Sequence, residues 1–449
     1  MSVSCRQFPV RRAARRGPWA ASLASASLFI LSAAAAQDSA PPEAAQRGAG
    51  QNGAGRPAHV HEPLRVEPDL SWQTLIGDTM AGYPSFASVE ARAAEAGVLT
   101  ERGARWLAGA PVLYFGYLTD APLDRLGQRE YDAAVELPLW RAGQRTAARS
   151  VGQFATAESA AARGALRWQV AGLLRSSLWD INEAANEVER ARESLGVAAQ
   201  LAQAVERRNA AGDLPLRDVL LARSAMLDKR VDLIEAQARL LDAERAYRSL
   251  TGLDARPADV SEPLTQTEDF DEHHPLLALA NAEIDRTRAE LEFVDRQVRG
   301  NPVLSIGPHR QRDPLGTLYS NSLTVAVTVP VGGKSRRATS ADRARAQRAL
   351  TDAEARRAAL ERQLDLDLHE AEHTLLVVEQ SLDVADRRAE LAQRQWRMGQ
   401  TAFAQGEIEL RELLRLQDAA LADVRELRRL RIARQRTIAE LNQAVGEVP

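Results

Sequence analysis

The segment His369-Glu370-Ala371-Glu372-His373 sets two histidines four residues apart around a glutamate. On a helix that spacing puts both imidazoles on one face, where they could hold zinc while Glu370 serves as a base. No third ligand follows at a recognisable spacing, and Leu368, Ala371 and Leu375 pass through the segment at the steps of a helix seam. The histidines therefore read as part of a solvated helix face. His59, His61, His273 and His274 read as polar linker residues rather than a metal-capture set. Cys5 is the only cysteine, so neither a disulfide framework nor a CxxC centre can form. No catalytic residue, cofactor or resident metal is expected, and the chain does not read as an enzyme.

Two other segments reverse the chain and match each other. Gly212-Asp213-Leu214-Pro215-Leu216-Arg217-Asp218-Val219-Leu220-Leu221 corresponds to Gly406-Glu407-Ile408-Glu409-Leu410-Arg411-Glu412-Leu413-Leu414-Arg415. Glycine permits the reversal, and Asp213 or Glu407 is expected to favour the N-terminus of the next helix. Asp213, Asp218, Glu407, Glu409 and Glu412 could form acidic rings that favour cations in a conduit. A plain helix reversal would use the same residues.

These segments belong to an internal repeat at an offset of about 191 to 194 residues. Tyr83-Pro84 to Leu113 aligns without gaps on His274-Pro275 to Leu304, Glu136-Leu137-Pro138-Leu139 on Thr328-Val329-Pro330-Val331, and Gly252 lies opposite Gly446. The helix pattern repeats in phase. Leu166, Val170, Leu174, Ser177, Ile181, Ala184, Val188, Ala191, Leu195 and Ala198 recur at steps of three and four, as do Leu360, Leu364, Leu368, Ala371, Leu375, Val378, Leu382, Ala385, Ala389 and Ala392. This is a coiled-coil seam with small residues that let helices approach closely.

The N-terminus carries a basic run (Arg6, Arg11, Arg12, Arg15, Arg16), a short apolar core from Ala20 to Leu31, and Ala34-Ala35-Ala36, the pattern of an export signal over 1–36. Residues 37–68, rich in Gly, Ala, Pro and Gln, read as a disordered arm. The first repeat is expected over 69–260 and the second over 261–449. A net charge of −3 gives no basic field for nucleic acid. No run reaches the roughly 18 apolar residues of a membrane helix.

Each half also has two short alternating runs: Val112 to Leu118 and Tyr131 to Leu137, then Val303 to about Ile306 and Leu323 to Val329. Leu323, Val325, Val327 and Val329 point one way, and Thr324, Ala326 and Thr328 the other. A membrane barrel wall with a wet lumen has this pattern, as does a soluble hairpin with one buried face. Four strands cannot close a membrane barrel, because about eight is the minimum, so the membrane reading demands several copies. Long helices are expected over Ala142 to Asn209, on the order of 100 Å, and over Leu214 to Leu250, on the order of 55 Å. The stretch from Trp72 to Leu107 would be another of the shorter length. Pro138 and Pro330 mark the strand-to-helix junctions, where a missing amide donor is tolerated.

The duplicated helix–hairpin–helix layout, the strand-end prolines and the paired glycine turns resemble the TolC outer-membrane efflux family over nearly the whole mature length. Leu137-Pro138-Leu139-Trp140-Arg141-Ala142-Gly143-Gln144 and Asn442-Gln443-Ala444-Val445-Gly446 look like its cation-efflux (CzcC-like) branch. The resemblance implies a mainly α fold with a small β-barrel portion: four strands per chain, and a homotrimer with a barrel of about twelve strands in outer-membrane lipid. It implies a periplasmic tunnel of duplicated coiled coils. A periplasmic adaptor (membrane fusion protein) would dock at Gly212, Asp213, Asp218, Leu220, Leu221, Gly406, Glu407, Glu412, Leu413 and Leu414, coupling the duct to an inner-membrane pump. The expected function is passive export of small solutes, leaning to heavy-metal cations, with drugs or other small molecules as the alternative cargo. A periplasmic adaptor fits less well, because the chain has two hairpins and few strands. Many relatives carry a lipid-anchoring cysteine that this chain lacks, which puts lipoprotein anchoring in doubt but not the channel.

Overall fold

In the computed structural model, the described residues run from Glu62 to Pro449, apart from 267–268, 271–272, 298–299, 317 and 332–334. The export signal, most of the arm, Cys5, His59 and His61 lie outside the described residues.

The first half contains β1 (Arg65–Glu67), α1 (Trp72–Gly82), α2 (Phe86–Ala104), β2 (Val112–Thr119), β3 (Arg129–Pro138), α3 (Gln144–Ala210) and α4 (Leu216–Thr251). The first half ends with β4 (Ala255–Pro257), and the second contains α5 (Pro275–Gln297), β5 (Val303–Arg312), β6 (Ser320–Thr328), α6 (Ser335–Gln405) and α7 (Leu410–Ala444). Three expectations change. The stretch from Trp72 is two helices, because Pro84 pushes Tyr83 out of helical geometry (φ −78°, ψ 133°). The last part of the arm expected to be disordered has structure: Leu64 is buried, and β1 pairs in parallel with β4. Strand β5 runs six residues past Ile306, through Gly307, Pro308 and a polar stretch that the apolar alternation did not mark.

Both hairpins join one antiparallel sheet in the order β2-β3-β5-β6, so the two repeats meet along β3 and β5. A side chain at Gly307 would overlap the Ala133 carbonyl, so this seam requires glycine. The two prolines occupy matching places. Pro138 ends β3 and its ring stacks toward Gly109, while Pro330 follows β6 and faces Gly300. Arg141 ties the junctions together, donating from Nε to the Gly300 carbonyl at 2.5 Å and from Nη2 to the Pro330 carbonyl at 2.9 Å.

All twenty seam positions are buried or half-buried. Small residues set the spacing against α2: a Cβ on Gly152 would lie 2.7 Å from Thr100 Cα, and one on Gly103 would lie 2.8 Å from Arg149 Cα. The largest core gathers Leu75, Ile76, Leu174, Leu178, Trp179 and Tyr247 where α1, α3 and α4 meet. Charge then distinguishes the repeat mates α2 and α5. Arg92 and Glu95 correspond, at an offset of 191, to Glu283 and Arg286. With the signs exchanged, Glu95 pairs with its own mate Arg286 at 2.7 Å, and buried Glu158 on α3 accepts from both Arg92 and Arg286 at 3.1 and 3.0 Å. Burial of Arg286 opposes its charge, but Glu290 and Glu158 outweigh that and raise its pKa. Identical charges at these mates would repel where the two repeats touch.

Candidate functional site

The two helix reversals lie side by side. Gly212 (φ 84°) donates to the Asn209 carbonyl at 2.9 Å, and the next amide, Asp213, returns to Arg208 at 2.9 Å. Gly406 (φ 79°) donates to Phe403 at 3.1 Å, and Glu407 to Ala402 at 2.8 Å. Both are the same left-handed glycine cap with two return bonds. The next helices are capped by Pro215 and Glu409, so Asp213 and Glu407 precede the cap rather than entering the first turn. The acids that meet the helix dipoles are Asp218 and Glu412. Arg415 lies 2.8 Å from Glu412, and its hydrogen bonds hold that carboxyl below the usual range.

Between the tips is a cleft of about 690 Å³, lined in part by Arg208, Leu214, Pro215, Phe403 and Ile408. Arg208 lies over the Phe403 ring, 5.1 Å from its centre, which joins one reversal to the other. Beneath it, Val205, Val219, Phe403, Leu410 and Leu413 form a core. Leu413, expected at a docking surface, is thus buried and serves packing instead, because it faces α3. Leu414 and Asp218 are half-buried, whereas Gly212, Asp213, Leu220, Leu221, Gly406 and Glu407 are exposed. The repeat mates Leu216 and Leu410 differ in burial, at 64 % and 2 % exposed.

The sheet separates its residues by face. Cross-strand partners place Leu113, Val135, Ile306, Leu323, Val325 and Val327 on one side. On the other side are Glu130, Asp132, Glu136, Ser305, His309 and Thr324, with Asp132 and His309 2.7 Å apart. The acidic face has no Lys or Arg in the paired strands, and the apolar face has no Asp or Glu. Every residue of β6 is exposed, and β2 and β6 are open edges.

No protein-family model matches the chain. Cobalt-zinc-cadmium resistance protein CzcC of Cupriavidus metallidurans is 31 % identical over 223 residues, 46 % of this chain and 51 % of that protein. The match thus spans about half the length of that curated relative. Among solved structures, a Pseudomonas aeruginosa membrane protein aligns with a TM-score of 0.65 at 16 % identity, over 87 % of this chain and 98 % of its own. CusC, a protein that forms a transmembrane channel, gives 0.64 at 14 %, over 87 % and 98 %. The outer-membrane protein VceC of Vibrio cholerae gives 0.61 at 16 %, over 84 % and 96 %. The fold is that of the TolC-like outer-membrane channels.

Within this TolC-like fold, Asn442 and Gln443, part of the segment that resembles the cation-efflux branch, hold the end of α7 in place. Arg175 on α3 is buried and meets Glu262 through two bonds, Nε to Oε1 at 2.8 Å and Nη2 to Oε2 at 2.6 Å. Its Nη1 also donates to Gln443 and, at 2.9 Å, to the Glu447 carbonyl. Asn442 donates to Glu262 at 3.2 Å and to the Pro263 carbonyl at 2.9 Å, and accepts from Thr265 N–H at 3.0 Å. The first repeat, the linker and the chain end are therefore clamped together. A lone Arg inside an apolar helical run was the available signal. His274 is likewise no linker residue: it is buried against Trp168, at 5.2 Å between ring centres, and beneath Gly446. His369 and His373 are exposed with ring centres 6.4 Å apart, and no group of three His, Cys, Asp or Glu among the described residues is arranged for a metal.

Proposed function

We propose that this chain is one third of an outer-membrane efflux duct, a passive homotrimer that an adaptor couples to an inner-membrane pump. The observation that carries the reading is the open four-stranded sheet, apolar on one face and acidic on the other, set on two long helical hairpins. An open edge in lipid leaves each unpaired backbone group several kcal/mol short, so β2 of one copy must meet β6 of the next. Three copies close about twelve strands, within the range of membrane barrels. From Pro138 to Arg129 strand β3 rises about 30 Å, and a tilt near 40° reduces that to about 23 Å, close to the height of an outer-membrane apolar band. No described helix is long and apolar enough to span a membrane.

The helices also show unpartnered stripes. Val377, Val384, Leu391 and Met398 on α6 lie seven residues apart and are exposed, as are Leu227 and Ile234 on α4. Such heptad spacing suits packing between copies. In this reading residues 1–36 direct export, and the repeats 69–260 and 261–449 act as two staves of one tube. The exposed tip residues Gly212, Asp213, Leu220, Leu221, Gly406 and Glu407 receive the adaptor. The acidic face of the sheet lines the lumen, which favours cations. Similarity to a protein named for cobalt, zinc and cadmium resistance supports the same cargo.

Membrane fractionation tests the duct: the protein should stay with outer membranes and run as a heat-labile trimer. A soluble periplasmic monomer would sink the reading. Growth of a deletion strain on zinc, cobalt, cadmium, copper and a drug panel tests the cargo. Sensitivity confined to drugs would refute the metal assignment while leaving the duct intact.

A further inference from the structure

At the end of the sheet away from the helices, the apolar face changes character. Tyr131 on β3 pairs with Arg310 on β5, and Arg129 with Arg312, so all four share the face that carries Val325 and Ile306. Tyr117 on β2 pairs with Tyr131, their ring centres 5.0 Å apart. Tyr319 stands beneath the arginines: the guanidinium carbons of Arg310 and Arg312 lie 4.4 and 5.6 Å from its ring centre. Arg312 is braced by donating from Nε to the Gly127 carbonyl at 2.8 Å. Adjoining the cluster through Arg310 and Tyr131 is a hollow of about 430 Å³, lined also by Phe115, Tyr117, Asp132 and Pro308.

Three arginines converge here, and none of them is within salt-bridge distance of a carboxylate among the described residues. Elsewhere the chain pairs its arginines densely, as Arg175, Arg286 and Arg436 illustrate. A tyrosine belt by itself is what any membrane barrel carries at its interfaces. Three uncompensated guanidinium groups adjoining an aromatic hollow go further. Guanidinium donors match the paired oxygens of a phosphate, and the hollow offers a place to a chain of methylene groups.

We infer that Arg129, Arg310 and Arg312, with the adjoining hollow, form a docking site for the phosphorylated headgroup of an outer-leaflet glycolipid. The phosphate is held by the guanidinium cluster and the upper part of an acyl chain lies along Phe115, Tyr117 and Pro308. The inference rests on the outer-membrane reading above. A trimer would carry the site three times around its outer rim.

The test uses the full-length trimer purified in detergent and exchanged into nanodiscs containing bis-phosphorylated lipid A or its dephosphorylated form. Native mass spectrometry then counts the lipid retained. The wild type should keep the phosphorylated lipid about tenfold better, and Arg129→Gln with Arg310→Gln should bring that preference close to unity, about threefold per arginine. Arg312 is left in place because it holds the hairpin. Equal retention of the two lipids by the wild type overturns the proposal, a comparison that needs no variant to fold. So does an unchanged preference in the double variant. Fractionation in parallel separates the two readings. Absence from outer membranes overturns both, whereas a trimer in outer membranes without headgroup preference overturns this one alone.

Discussion

Replacing Arg175 with leucine should be among the most destabilising single changes in the helical portion. The side chains of Arg175 and Glu262 are 4 % and 9 % exposed, and the arginine makes four hydrogen bonds, two of them to that carboxylate. In the variant, Glu262 retains only the 3.2 Å bond from Asn442. Breaking a buried ion pair from one side costs about 3–5 kcal/mol, chiefly from the charge left behind. Removing both charges, in Arg175→Leu with Glu262→Leu, removes that stranded charge, so the double variant should recover about 2 kcal/mol relative to the single one. The readout is the midpoint of helix loss by circular dichroism in detergent, with protease cleavage between α4 and α5 as a second probe. The expected order of midpoints is wild type, double variant, Arg175→Leu. A single variant within about 1 kcal/mol of wild type, or a double variant less stable than the single, would refute the account of this clamp.

Three further outcomes follow from the same geometry. Val325→Arg or Val327→Arg should reduce trimer yield by the equivalent of about 2–4 kcal/mol, measured by heat-labile mobility, and unchanged yield would reverse the assignment of faces. Gly406→Val forces a β-branched residue to φ 79°, costing about 1–3 kcal/mol locally, and should abolish export while trimers persist; loss of the trimer would make the tip purely structural. Burial pushes the Tyr247 phenol up to about 12, so its neutral form stabilises the fold. That contribution, about 2–3 kcal/mol, is complete below pH 10 and disappears as pH rises toward 12. Tyr247→Phe should abolish this slope, which alkaline unfolding monitored by tyrosine absorbance would show.

Much of the architecture could be read from spacing, because the constraints are local. A seam residue is fixed by helical period, and all twenty named positions are covered. The strand-end prolines and the turn glycines announce themselves through backbone geometry: Gly212, Gly252, Gly406 and Gly446 all take positive φ. What escaped reading depends on partners distant in sequence. Leu413 looks like any tip leucine until Phe403 and Val205 are brought against it. Strands β1 and β4 have three residues each and pair across roughly 190 positions, too short to carry a period of their own.

By itself, then, the sequence determined the duplication, the helical seams, the reversals and the two-faced strands, because each is written in periodicity or in the backbone needs of Gly and Pro. Only the tertiary structure decided that the repeats join through β3 and β5, and that Arg175 and Asn442 lock the chain end to α3. It also decided that exchanged charges at Glu95 and Arg286 let repeat mates touch. Those choices turn on burial and on which opposite charges meet, and neither is encoded in any one stretch of chain.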